Sequence, residues 1–132
     1  MGIRFFIDEN LGQDLAKGLR LLGYDVEHLL DTFVPGTKDV DWLKYVGDNH
    51  LALITKDKQI RRKPNERNLL LKHRVVAFFL GGSEQSGKAI NRQLSNAWDK
   101  MEALAKKQFK KRTAAAFIVR PRGTKIEEIP LT

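Results

Sequence analysis

Four short apolar runs, each ending abruptly in polar residues and separated by stretches of helical periodicity, constrain this chain most. They cover residues 3–7, 24–29, 51–55 and 75–80 and are rich in β-branched and aromatic side chains, as strands buried on both faces are. Between them Leu11, Leu15, Leu19 and Leu22 recur at helical spacing up to Gly23, a C-terminal stop, with Asn10 as cap and Gln13 three places on. Asp39 starts a second helix with Val40, Leu43 and Val46 as its apolar face, and 33–37 is a loop. A polar, basic connection over 56–64 leads to a short helix near 65–72. Residues 83–86 open a long helix with Ile90, Leu94, Ala97, Met101 and Leu104 on one face, and runs 115–119 and 125–129 close the chain around Arg122-Gly123. This alternation predicts an α/β sandwich with a largely parallel central sheet. The length and the lack of a dividing linker predict one domain over residues 1–132.

Several classes are excluded. The chain has no cysteine, which removes disulfides, thiolate zinc sites and thiol catalysis, so any metal must use oxygen or imidazole ligands. The apolar run 75–80 is too short to cross a bilayer. With no secretory signal and no myristoylation motif after Met1-Gly2, the expectation is a cytoplasmic protein without a membrane partner.

The net charge of +8 is unevenly spread. Residues 1–55 carry five bases against nine acids, residues 56–74 eight bases against Asp57 and Glu66, and residues 100–112 six bases against Glu102. An acidic first part and a basic second part suggest a polyanionic partner gripped by the bases, with the carboxylates reserved for another task.

In open parallel sheets, ligands bind beyond the carboxyl ends of the strands. Asp8 directly follows the first run, Asp57 lies two residues past the third in Ile54-Thr55-Lys56-Asp57, and Asp39 and Asp41 open the helix feeding it. Carboxylates gathered in one crevice would repel and raise a pKa unless a cation intervened, and Mg²⁺ or Mn²⁺ is the natural one. Lys56, Lys58, Arg61, Arg62, Lys63 and Arg67 leave the same edge and could grip a phosphate backbone. The combination fits phosphodiester hydrolysis.

Plainer roles stand beside these. Asp39 could cap its helix, and Thr55 could hydrogen-bond a turn. His28, His50 and His73 lack metal-ligand spacing, and Trp42 and Trp98 read as core. Gly82-Ser83-Glu84-Gln85-Ser86-Gly87-Lys88 nearly matches a phosphate-binding loop, but Ala89 stands where a magnesium-ligating hydroxyl belongs. A Gly-rich turn with a serine capping the long helix accounts for it.

Phe6-Ile7-Asp8-Glu9-Asn10-Leu11, Gly23-Tyr24-Asp25-Val26, Asp39-Val40-Asp41-Trp42-Leu43 and Ile54-Thr55-Lys56-Asp57 together resemble the PIN-like family of VapC-type toxins, with the basic segment 60–67 resembling one branch of it. The resemblance runs through the whole chain in order. It implies a three-layer α/β/α fold, Mg²⁺- or Mn²⁺-dependent endoribonuclease activity and a cognate antitoxin protein that blocks the site, and a homodimer is compatible with it. By position, Asp8, Asp39 and Asp57 match the metal-binding acids, and Thr55 would orient Asp57 or its water. Asp41 could replace Asp39. The family's fourth acid has no clear match after Asp57, and Glu9 could serve instead. Two other readings stay open: a catalytically weak RNA-binding module of the same fold, and a receiver-like phosphoacceptor domain.

Overall fold

Hydrogen-bond register makes five of the six strands parallel. In the computed structural model, which describes residues 2–82 and 86–131, β1 (Phe5–Ile7), β2 (Val26–His28), β3 (Ala52–Thr55), β4 (Val76–Leu80) and β5 (Ala115–Val119) run the same way, and β6 (Ile126–Ile129) returns antiparallel to β5. The order across the sheet is β2-β1-β3-β4-β5-β6.

Residue alternation divides the core. Phe5, Ile7, Ala52, Ile54, Val76 and Phe78 pack under α1 (Gln13–Leu21) and α6 (Gly87–Lys111). Phe6, Leu53, Ala77 and Phe79 pack on the other face, under α2 (Leu29–Thr32), α3 (Asp39–Asp48), α4 (Gln59–Arg62) and α5 (Pro64–Lys72). The result is the expected three-layer α/β/α sandwich. Trp98 lies against Phe5 and Tyr24, with ring centroids 4.6 Å and 4.3 Å apart, and Trp42 stacks on Phe6 at 5.9 Å. Both tryptophans are core, as their sequence contexts suggested. No helix among the described residues is long and apolar enough to cross a membrane.

Local chemistry shifts several expected boundaries. The second run stops at His28, because its Nδ1 accepts the Leu30 N–H and Asp31 accepts the His28 N–H, which closes a capping box and starts α2. Asn10 does not cap α1; the helix begins two residues later than such a cap requires, behind Gly12, with no side-chain cap. Val40 is 46% exposed, because the Trp42–Phe6 stack turns the Trp42, Leu43 and Val46 face of α3 to the sheet. The basic connection contains α4, held by the Asp57 carboxylate accepting the Gln59 N–H (3.0 Å) and by the buried Ile60. Ser86 caps α6 by accepting the Ala89 N–H at 3.2 Å. Of the glycine-rich segment 82–88, residues 83–85 lie outside the described residues.

Three helices end alike. In α1, α3 and α5 the residue after the C-cap has positive φ and its N–H returns to the last turn: Gly23 (φ 91°), His50 (52°) and Arg74 (56°), with the next N–H bonding Leu19, Val46 and Leu70 respectively. Arg112 (57°) ends α6 in the same left-handed region. Glycine adopts that conformation freely; a residue with a Cβ gives up about 1 kcal/mol.

Candidate functional site

The order β2-β1-β3 places the point where the winding of the sheet reverses between β1 and β3, and the carboxyl ends at such a point are where open parallel sheets bind ligands. Asp8 is the next residue after β1, and Thr55 is the last of β3. Phe6 and Leu53 point to the α2–α5 side, so the period of two sends Asp8 and Thr55 the same way. Register pairs Ile7 with Ile54, which leaves Asp8 and Thr55 adjacent. The Thr55 hydroxyl donates to Asp8 Oδ2 at 2.5 Å, and its oxygen accepts the Asp57 N–H at 3.0 Å. Thr55 therefore orients the Asp8 carboxylate and the Asp57 backbone; its proton does not go to the Asp57 carboxylate, which is occupied by the Gln59 N–H.

Asp8 is only 2% exposed, and its Oδ1 is buried without a hydrogen-bond partner. Burial pushes its pKa up to about 6; the Thr55 hydroxyl and the Asn10 backbone pull downward, and the charges of Asp57 and Asp39 push further up. Asp39, half-buried at the start of α3, accepts the Trp42 indole N–H at 3.1 Å and so is not a helix cap. Its pKa is raised by burial, and then by Asp57, Glu66 and Glu9, against the indole hydrogen bond. The structure thus brings Asp8, Asp39 and Asp57 within electrostatic reach of one another from three segments distant in sequence. Asp41 is exposed on α3. Glu9 is tied to the loop before α3, accepting the Gly36 N–H at 3.1 Å, while its charge is still felt at Asp39.

Glu66 is the acid that sequence reasoning passed over. It lies in the first turn of α5 behind Pro64, where an acid looks like an ordinary complement to the helix dipole. Only the packing of α3 beside α5 brings its charge to bear on Asp39. The sequence signal was the lone acid between Lys63 and Arg67 in a basic stretch.

Among the described residues no three carboxylate or imidazole groups stand close enough to hold one ion by themselves. A magnesium site does not require three, since one or two carboxylates with water and substrate oxygens suffice. The all-oxygen donor set fits a hard divalent cation. So does the unpartnered Oδ1 of Asp8, a buried lone pair surrounded by like charge.

The bases expected to meet a polyanion leave this same edge. Lys56, Lys58, Arg62 and Lys63 are exposed, whereas Arg61 and Arg67 are half-buried. The Arg61 guanidinium sits 5.5 Å over the Phe79 ring, and its Nε is buried without a partner. Burial, and then Arg62, lower its pKa. Stacking over Phe79 orders the guanidinium, the group that pairs best with phosphate oxygens.

Thr55→Val, which removes the hydroxyl at nearly constant volume, is expected to push the Asp8 pKa above 6, because the hydrogen bond that opposes burial is gone. NMR titration of the Asp8 carboxyl would show an upward shift; an unchanged midpoint would mean that the Thr55 hydroxyl does not govern this group.

A parallel sheet with desolvated carboxylates at its switch point and a basic segment beside them is an arrangement of nuclease type. A family model described as the PIN-like domain matches residues 3–82, more than half of the chain, and the chain belongs to this family. The match is narrower than the whole-chain resemblance: it holds β1 to β4 with Asp8, Glu9, Asp39, Asp41, Asp57 and Glu66, and stops before α6, β5 and β6. No curated protein and no solved structure matches the chain.

Proposed function

We propose that this PIN-like protein is a Mg²⁺- or Mn²⁺-dependent endoribonuclease, acting in the cytoplasm as the toxin of a toxin–antitoxin pair and held in check by a cognate antitoxin protein. The observation that carries the nuclease reading is the buried Asp8, with one oxygen fixed by Thr55 and the other free, amid the charges of Asp39 and Asp57. The toxin reading rests on the sequence resemblance.

Asp8, with Asp39 and Asp57, would hold the divalent ion, and a bound ion would shield the scissile phosphate and make a water nucleophilic near neutral pH. Thr55 holds the Asp8 carboxylate through Oδ2 and leaves the buried Oδ1 without a protein partner. Glu66 and Glu9 add negative potential at Asp39, which strengthens cation binding over monovalent competition. Arg61 is the base best placed to fix a substrate phosphate, since its side chain is already ordered over Phe79. Lys56, Lys58, Arg62, Lys63 and Arg67 supply the salt-sensitive grip on flanking phosphates.

The test is incubation of the full chain with a mixed RNA substrate in Mn²⁺ or Mg²⁺, beside an EDTA control. Cleavage that disappears in EDTA and returns on adding Mn²⁺ is expected. RNA that is bound with steep salt dependence yet stays intact in either ion would overturn the nuclease reading and leave an RNA-binding module.

A further inference from the structure

The proposed nuclease site leaves the second basic patch and two bases of the first, Lys72 and Arg74, unused. The fold gathers part of both at the opposite end of the sheet, roughly 16 Å along β3 from Thr55 at about 3.3 Å per residue. There the turns entering β3, β4 and β5 enclose an open groove of about 880 Å³, lined among others by His50, Lys72, Arg74, Phe109 and Arg112, a size typical of small-molecule sites. Its acid, Asp48, is already paired with Lys44 at 2.5 Å. Among the described residues no carboxylate pairs with Lys72, Arg74 or Arg112.

Backbone conformation sharpens the point. Among the described residues, His50, Arg74 and Arg112 are the non-glycine residues of positive φ, and all three line this groove. α1 ends in the same hydrogen-bonded turn as α3 and α5 but uses Gly23, and Gly23 is not among the groove's lining. The chain thus accepts backbone strain where the strained residue faces the groove and avoids it where it does not. Attraction of cations to helix C-termini accounts for Lys72 in the last turn of α5. It does not account for preferring a side chain to glycine at the left-handed positions themselves. The partial negative ends of three helices oppose an anion here, and the full charges of Lys72, Arg74 and Arg112 outweigh them. The pKa of the His73 imidazole, also in the lining, is lowered by burial and then by Lys72. Finally, Phe109 and His50 meet edge-on with centroids 6.2 Å apart, which puts an aromatic surface beside the cations.

We propose that this groove is a nucleotide-binding site separate from the acidic crevice, with Arg74, Arg112 and Lys72 holding the phosphate and the Phe109–His50 pair contacting the base. The ligand is a nucleotide unit, whether free or within an RNA strand.

The test is calorimetric titration of the full chain with AMP, without divalent ions, in low salt. It uses three proteins: the unaltered chain, Asp8→Asn, and the double variant Arg74→Gly/Arg112→Gly. Glycine suits both backbone positions, so the double variant should fold at least as stably, checked by thermal melting. AMP is expected to bind the unaltered chain and Asp8→Asn alike, and at least tenfold more weakly to the double variant; adenosine should not bind. Competition by a single-stranded oligoribonucleotide would identify the strand as the source, and its absence a free nucleotide; both outcomes support the site. The proposal is overturned if AMP does not bind, if it binds the double variant equally, or if Asp8→Asn alone abolishes binding. Because no metal or cleavage is involved, failure here leaves the nuclease reading untouched, and the reverse holds too.

Discussion

Asp8→Asn is expected to lower metal-dependent RNA cleavage by at least about a thousandfold while making the folded chain more stable above pH 6. The two effects share a cause. The Asp8 carboxyl has a pKa near 3.8 when unfolded and about 6 when folded. Below pH 3.8 both states are protonated and the group costs nothing. Between pH 3.8 and 6 the unfolded chain ionises first and stability falls. Above pH 6 the penalty is complete, about 3 kcal/mol at 1.36 kcal/mol per pKa unit. Asparagine cannot ionise, so the penalty vanishes. Its amide still accepts from Thr55, but its NH₂ takes the place of the unpartnered Oδ1 and loses part of the gain. A net stabilisation of about 1–2 kcal/mol at pH 8, turning into a destabilisation of about 1–2 kcal/mol below pH 4 where only the cost of the unpaired NH₂ remains, is expected in urea denaturation. Mn²⁺ should raise the melting temperature of the unaltered chain, more at pH 7.5 than at pH 5.5, because only ionised Asp8 is a good ligand; the variant should lose most of that response. An Asp8→Asn protein that cuts RNA at the original rate would remove Asp8 from the chemistry. One that unfolds more readily at pH 8 would show that the burial penalty is not what the carboxylate suffers.

Gly47→Ala is expected to destabilise the chain by about 3 kcal/mol or more, the reverse of the usual sign. In the middle of a helix alanine normally gains about 1 kcal/mol over glycine. Gly47 lies in the last turn of α3, where a Cβ would meet the His73 carbonyl oxygen at 2.2 Å and the His73 Cβ at 2.8 Å. Both contacts belong to the turn that ends α5, so neither can swing aside as the end of a long side chain could. Relief requires moving α3 from α5, and the Leu43, Val46 and Leu70 packing that joins them to the sheet with it. The same movement would spread the groove between His50 and Arg74. A urea midpoint at or above that of the unaltered chain would mean that the helices part at little cost.

Much of the layer order was legible because it depends on periodicity. Apolar runs buried on both faces read as strands, leucines at helical spacing read as the helices covering them, and the acids ending the runs marked the carboxyl edge. Asp8 and Thr55 were found this way, the one just past a strand and the other at a strand's last position. What was misread depended on side chains returning to the backbone. His28 ends its strand with a capping box, and Asp57 starts a turn of helix in what looked like a linker. Neither signal stands apart from ordinary turn chemistry in one sequence. Glu66 was missed for a different reason: its relation to Asp39 exists only through the packing of α3 on α5.

By itself, then, the sequence determined the six strands and the longer helices α1, α3, α5 and α6, that the sheet is largely parallel, that no thiol chemistry is available, and which end of the strands carries the acids. These follow from side-chain period, composition and the position of a residue relative to its own strand, all of which are local. Tertiary structure alone decided that Thr55 serves Asp8, that Glu66 joins the acidic group, and that His50, Arg74 and Arg112 meet in one groove. Each depends on strand order and helix packing between residues far apart in the chain, and on burial that turns an ordinary carboxyl into one with a pKa near 6.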